Sequence, residues 1–186
     1  MQKIGKQIQI EKDKDSLKVE IFPNPGSKDK LILILWIIGW SLCGLAVIAQ
    51  LLFYLDAYES KQIAFLLIYL SFWGYLEFKV LYAFSWNKRG KELIEIIDGK
   101  FSYTKLMGKR GLPFECEKNL LSKFAYEEST ENGIWNDINR AAWMVAGEVI
   151  QYKTDDKLRR LGLKLPKKDA VKLAELLNKY LVKLPC

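Results

Sequence analysis

The chain has 186 residues, half of them hydrophobic, and 29 basic against 22 acidic side chains give a formal net charge of +7. That length leaves room for one water-exposed domain at most once apolar spans are set aside, and the scattered rather than clustered basic residues argue against nucleic acid and suit a protein held beside anionic headgroups. Histidine is absent, which removes the commonest general base and metal ligand, and Cys43, Cys116 and Cys186 have no metal-like or redox-like spacing, so no enzyme activity, cofactor or metal is expected.

Residues 1–30 are polar and charged, with no apolar core near the start of the kind a signal peptide carries, so this segment is expected to be retained. Within it, Gln7 to Glu11 and Leu17 to Phe22 alternate apolar and polar residues around a Lys12 to Ser16 turn, which predicts a β-hairpin. Pro23-Asn24-Pro25-Gly26 stops the second strand.

From Leu31 to Leu55 no residue is charged, and at about 1.5 Å per residue the run can cross a hydrocarbon core of about 30 Å. Asp56 to Gln62 is a short polar loop. Ile63 to Trp86 is again long enough, although it contains Glu77 and Lys79. A connection this short predicts adjacent, antiparallel helices, so residues 31–86 read as a transmembrane hairpin of two spans, 31–55 and 63–86. Lys28, Lys30, Lys88, Arg89 and Lys91 flank the spans on one side, while Asp56, Glu59 and Lys61 occupy the other. The positive-inside rule then places both termini in the cytoplasm of a multi-pass protein of the inner membrane.

After Trp86 the period changes to two. Glu92 to Ile97 and Lys100 to Met107 are predicted strands around an Asp98-Gly99 turn. Leu112 to Glu117, Leu120 to Glu127, and a last hairpin of Glu148 to Tyr152 with Lys157 to Leu163 follow. The chain closes on an amphipathic helix over 167–182, with Pro166 at its start, Asp169 in its first turn, and Ala170, Leu173, Ala174, Leu177, Tyr180 and Leu181 on one face.

The predicted fold class is therefore membrane α+β: a two-helix transmembrane hairpin inserted in a small antiparallel β-sandwich or barrel that ends in a helix. The domain is split, with residues 1–30 and 87–186 contributing to one sheet, because an isolated two-stranded hairpin is only marginally stable in water. Several short motifs carry a family likeness: Val19-Glu20-Ile21-Phe22-Pro23 leading into Trp36 and Trp40, Trp86 and Gly90-Lys91-Glu92 leading into Asp98-Gly99, and Leu161-Gly162-Leu163 followed by Asp169-Ala170, Leu173 and Leu176-Leu177. In this arrangement the chain resembles the bacterial membrane proteins that carry a pleckstrin-homology-like (PH-like) domain with two inserted transmembrane helices. The resemblance implies fold and location rather than a biochemical role.

Four groups of residues are functional candidates. Glu77 and Lys79 lie in the second span, where a charge costs about 2.5–3.5 kcal/mol on insertion scales. Depth matching sets Glu77 near Trp40. The site reads either as an ion, proton or helix-partner contact, or as a snorkelling Lys79 beside a Glu77 that accepts an indole hydrogen bond or is protonated. Gly39, Cys43 and Ala46 on the first span, with Ser71 and Gly74 on the second, form small-residue faces suited to packing the two helices together or, alternatively, to self-association. Trp135, Ile138, Ala142, Trp143 and Val145 make an apolar segment that either docks on a membrane or partner, or folds back over the sheet. Lys100, Lys105, Lys109 and Arg110 flank one hairpin and could contact anionic lipid.

Three functions follow as expectations. The first is a non-enzymatic, membrane-anchored interaction module, an accessory, assembly or scaffolding subunit of a larger membrane complex. The second is an oligomeric channel or transport component using Glu77. The third is a membrane-tethered effector that holds a small ligand in its β-domain. The partners implied are the lipid bilayer and a membrane protein or a second copy of the chain.

Overall fold

A computed structural model describes residues 2–13, 16–23, 27–127, 145–155 and 157–183. These fall into two compact units. The described residues up to 23 and from 85 onward form the first, and residues 27–84 form the second.

The first unit holds a six-stranded antiparallel sheet, in the spatial order β1 (Gln2–Ile4), β2 (Ile8–Lys12), β3 (Ser16–Ile21), β4 (Gly90–Ile97), β5 (Lys100–Met107) and β6 (Pro113–Glu117). A second sheet contains β7 (Ala125–Tyr126), β8 (Glu148–Thr154) and β9 (Lys157–Leu163), and the chain continues into helix α3 (Lys167–Lys183). Every pairing is antiparallel. Strand β3 pairs directly with β4, Ile21 opposite Glu92 and Ser16 opposite Ile97. The segments before and after the long helices therefore belong to one sheet.

Alternation sets the core. Ile8 and Ile10, Leu17, Val19 and Ile21, and Ile94 and Ile96 point the same way along β2, β3 and β4 and are buried. The α3 face of Ala170, Leu173, Ala174, Leu177 and Tyr180 joins the same core. Phe101, Phe124 and Tyr152 meet there with ring centroids 5.1–5.7 Å apart, contacts worth about 0.5–1.5 kcal/mol each beyond the area they bury. The Asp98-Gly99 turn has positive φ at both residues, 49° and 75°, as a two-residue hairpin connection requires.

Several elements differ from expectation, among them the two long helices, which run over Ser27–Phe53 and Ser60–Arg89 where the sequence predicts 31–55 and 63–86. Strand β1 is additional, and its connection to β2 is signalled only by Gly5, whose φ is +59°. The strand expected over Leu120 to Glu127 shrinks to Ala125–Tyr126, preceded by a 3-10 turn at Lys118–Leu120. Its neighbour Phe124 has no need of a strand partner: the Asn178 side chain of α3 accepts from the Phe124 N–H and donates to its carbonyl, both at 2.8 Å. Strand β4 starts at Gly90, two residues earlier than expected, immediately after a helix that extends to Arg89.

The second unit consists of α1 (Ser27–Phe53) and most of α2 (Ser60–Arg89), with a 3-10 turn at Leu55–Ala57 between them. At about 1.5 Å per residue they are roughly 40 and 45 Å long, and both are apolar enough to cross a membrane. Leu35, Leu42 and Leu52 on α1 and Phe65, Ile68 and Phe72 on α2 are exposed. Apolar display on that scale exceeds what a water-facing surface normally carries.

Candidate functional site

Glu77 sits on α2 with Ser41 of α1, whose hydroxyl donates to Glu77 Oε1 at 2.7 Å. The partner is thus one residue beyond Trp40 and is a hydroxyl, not an indole. The indole that does bridge the helices belongs to Trp73, which donates to the Trp40 carbonyl at 3.0 Å. Glu77 Oε2 and Trp40 Nε1 are both buried without a hydrogen-bond partner among the described residues. Lys79 is exposed, with its ammonium 5.5 Å from the centre of the Tyr75 ring. It leans toward the start of α2 and away from the Arg89 end, as the tilt of helical Cα–Cβ bonds favours.

The small residues expected to pack the helices together do not do so. Gly39 and Gly74 have open space where a Cβ would stand, and Cys43, Ala46 and Ser71 are exposed. Ser71 spends its hydroxyl on the Leu67 carbonyl of its own helix. The close approach is at Gly44, where an added Cβ would overlap the Trp73 ring. Size complementarity explains the difference: the largest side chain of one helix needs the smallest of the other, and the Gly39 face has no such partner.

Nor do the four predicted lipid-contact residues form one patch. Lys100 opens β5 while Lys109 follows its end, roughly 24 Å apart at strand rise. Lys105 is held by Glu148 of β8. Only Lys109 and Arg110 are neighbours and exposed. Of the apolar segment, Val145 is half-buried just before β8, and Trp135, Ile138, Ala142 and Trp143 lie outside the described residues.

The most constrained polar site escaped the sequence reading. Glu92, near the start of β4, is 1% exposed. Its Oε1 accepts from the Leu163 N–H at 2.6 Å, and its Oε2 accepts from the Gly162 N–H and the Tyr103 hydroxyl, each at 2.8 Å. One carboxylate therefore ties β4 to β5 within the large sheet and to β9 in the small one. Burial pushes the Glu92 carboxyl above the usual carboxylate range, and the three donors and the nearby Lys105 ammonium counteract it. The Tyr103 hydroxyl is pushed up as well, by burial first and by the Glu92 charge second. A signal for this site exists in the sequence: Glu92 is in phase with Ile94 and Ile96, a carboxylate at a core position of the alternation. All three of its donors belong to strands, so its role is to join them.

An open groove of about 340 Å³ lies where β1 and β2 meet α3, with Lys3, Lys12, Lys172 and Lys179 around Glu175 and Leu176. Among the described residues no cluster of three or more Cys, Asp or Glu has metal-binding geometry. No protein-family model, curated protein or solved structure matches the chain.

Proposed function

We propose that this chain is a membrane-anchored, non-enzymatic interaction module, an accessory, assembly or scaffolding subunit of a larger complex in the cytoplasmic membrane. In this reading α1 and α2 cross the bilayer as a hairpin, and the two sheets with α3 form a PH-like domain on the cytoplasmic side. The observation that carries it is the β3–β4 pairing. Strands on either side of the two apolar helices share one sheet, so a double crossing returns the chain to the side it left. Lys28, Lys30, Lys88, Arg89 and Lys91 flank the helices on that side, which supports the cytoplasmic face. The exposed apolar side chains of α1 and α2 supply the contact surface for a membrane partner.

Topology is tested by cysteine labelling in intact cells, in a background with Cys43, Cys116 and Cys186 replaced. Tyr58→Cys should react with an impermeant reagent, and Ser16→Cys and Thr154→Cys should not. The opposite pattern overturns the orientation. For the scaffold role, the protein is isolated from its native membrane in mild detergent, and a lone monomer without a co-purifying protein overturns it.

A second reading rests on Glu77 Oε2, buried with no partner of its own. One hairpin cannot line a pore, so this reading requires an oligomer in which Glu77 meets an ion or a neighbour. Reconstituted oligomer should then conduct, with conductance altered by Glu77→Gln. An oligomer that passes no current removes it.

A further inference from the structure

One end of the β-domain gathers basic side chains from segments far apart in sequence. The register fixes which loops share that end. Gly90 pairs with Met107, Ile21 with Glu92, and Ile4 with Ile8. The Gly108 N–H donates to the carbonyl of Arg89, the last residue of α2, at 3.0 Å, and the Phe22 N–H donates to the Gln7 carbonyl at 2.8 Å. The Gly5–Gln7 turn, the close of α2 and the loop between β5 and β6 therefore lie at one end of the sheet, the last two side by side. They carry Lys6, Lys88, Arg89, Lys109 and Arg110, all exposed and none in an ion pair with a described residue.

Acidic groups at this end are already engaged. Glu20 is held by Lys91, Glu148 by Lys105, and Glu92 by its three donors; the exception is Asp169, whose carboxylate lies against Gly5 and offsets one cation at the Lys6 side of the rim. At the opposite end of the strands, Asp98, Glu117 and Asp155 stand among Lys100 and Lys157, so no excess of cations gathers among these residues. Beside the basic rim is Leu112, 93% exposed and the most exposed large hydrophobic side chain among the described residues. A lone exposed leucine is ordinary. One that follows two unpaired cations, Lys109 and Arg110, in a loop hydrogen-bonded to the last residue of an apolar helix matches the layered chemistry of a bilayer surface, with charge at the headgroups and apolar matter beneath.

We propose that this rim is a seat for anionic lipid headgroups, with Leu112 entering the interface. The proposal rests on the reading that α1 and α2 span the membrane. It replaces the dispersed set of four residues by Lys6, Lys88, Arg89, Lys109 and Arg110. Each cation near an anionic surface contributes about fivefold to its association with the surface, so reversing two changes the loop's attachment far more than neutralising one.

The test uses the full chain with its native cysteines replaced, reconstituted in vesicles of phosphatidylcholine alone or mixed with phosphatidylglycerol. An environment-sensitive fluorophore is placed at Leu112→Cys, at Asp98→Cys as a distal control, or at Leu45→Cys to report on the span. The Leu112 label should shift to the blue and be quenched by spin-labelled lipid when phosphatidylglycerol is present. The shift should be lost in Lys109→Glu/Arg110→Glu and reduced at 1 M salt, where screening acts within about 3 Å. The Asp98 label should stay water-like throughout. A Leu112 label that is water-like in both vesicles, while the Leu45 label is in lipid, overturns the proposal and leaves the span standing. A shift that ignores lipid charge and salt also overturns it, as an acidic protein partner for the rim would. A Leu45 label in water removes the spanning reading and the proposal together.

Discussion

Glu77 and Glu92 are carboxylates withdrawn from water in two different parts of the molecule, and their surroundings treat them in opposite ways. Glu92, in the β-domain, receives three hydrogen bonds from three separate strand positions. Glu77, in the apolar helices, receives one, from Ser41, and its second oxygen has none. A sheet edge can offer backbone N–H groups to a buried acceptor. A helix cannot, because its interior N–H groups are committed to its own carbonyls. A carboxylate between helices therefore depends on the few side chains that reach it. The lesson is that burial of a charge reads as architecture where the backbone serves it, and as an opening for function where the backbone cannot.

The sharpest way to break that contrast is to remove each carboxylate. Glu92→Ala strands two backbone N–H groups and the Tyr103 hydroxyl in a dry site, at about 1–3 kcal/mol for each unsatisfied group. A loss of roughly 3 kcal/mol or more is expected, read from denaturant unfolding of the β-domain signal in detergent. A change below about 1 kcal/mol would mean that the three donors find other partners.

Ionisation of Glu92 can be isolated by pH. Its folded-state pKa is raised above 4.5, so the native state binds the proton more tightly than the unfolded one. The stability tied to this group is therefore full below the unfolded value and declines as pH rises from there through the folded value. Glu92→Gln should flatten that decline while costing less than Glu92→Ala, because the amide still offers one acceptor. A wild-type profile that rises across the same window would reverse the sign.

Packing of the two helices provides the next contrast. Gly44→Val should collide with Trp73, an overpacking cost of about 1–3 kcal/mol, whereas Gly39→Val meets open space and should be nearly silent. Tryptophan fluorescence and thermal stability in detergent read both. Equal effects would show that the approach at Gly44 does not govern packing. An effect smaller than that at Gly44 is expected at Glu77. Ser41→Ala removes its one hydrogen bond, worth about 1 kcal/mol, and Glu77→Gln keeps an acceptor for Ser41 and should change stability less still.

Much of the fold was legible because its signals are local. Two apolar runs of helical length, an Asp98-Gly99 turn, and the Ala170, Leu173, Ala174 and Leu177 stripe each announce an element within a few residues. The candidate sites depend on distant residues and were read less well. Gly39 and Gly44 are equivalent in sequence terms, and only the position of Trp73 on the other helix separates them. Glu92 resembles any solvent-facing strand residue until its phase with Ile94 and Ile96 is taken seriously, and its donors Gly162 and Leu163 come from a strand some 70 residues away in sequence. The lysines of one hairpin were grouped by proximity in the chain, which strand length then pulls apart.

The β3–β4 pairing also orders events at the ribosome. Strand β3 is complete at Ile21, but its neighbour begins only at Gly90. At translation rates of about 5–20 residues per second, the intervening segment of roughly 70 residues takes roughly 4–14 s to make. For that interval the first hairpin must wait with an open edge while both apolar helices emerge. On the proposed spanning reading, sheet completion is thus a checkpoint on insertion: only a chain whose helices have both crossed can bring Glu92 back to Ile21.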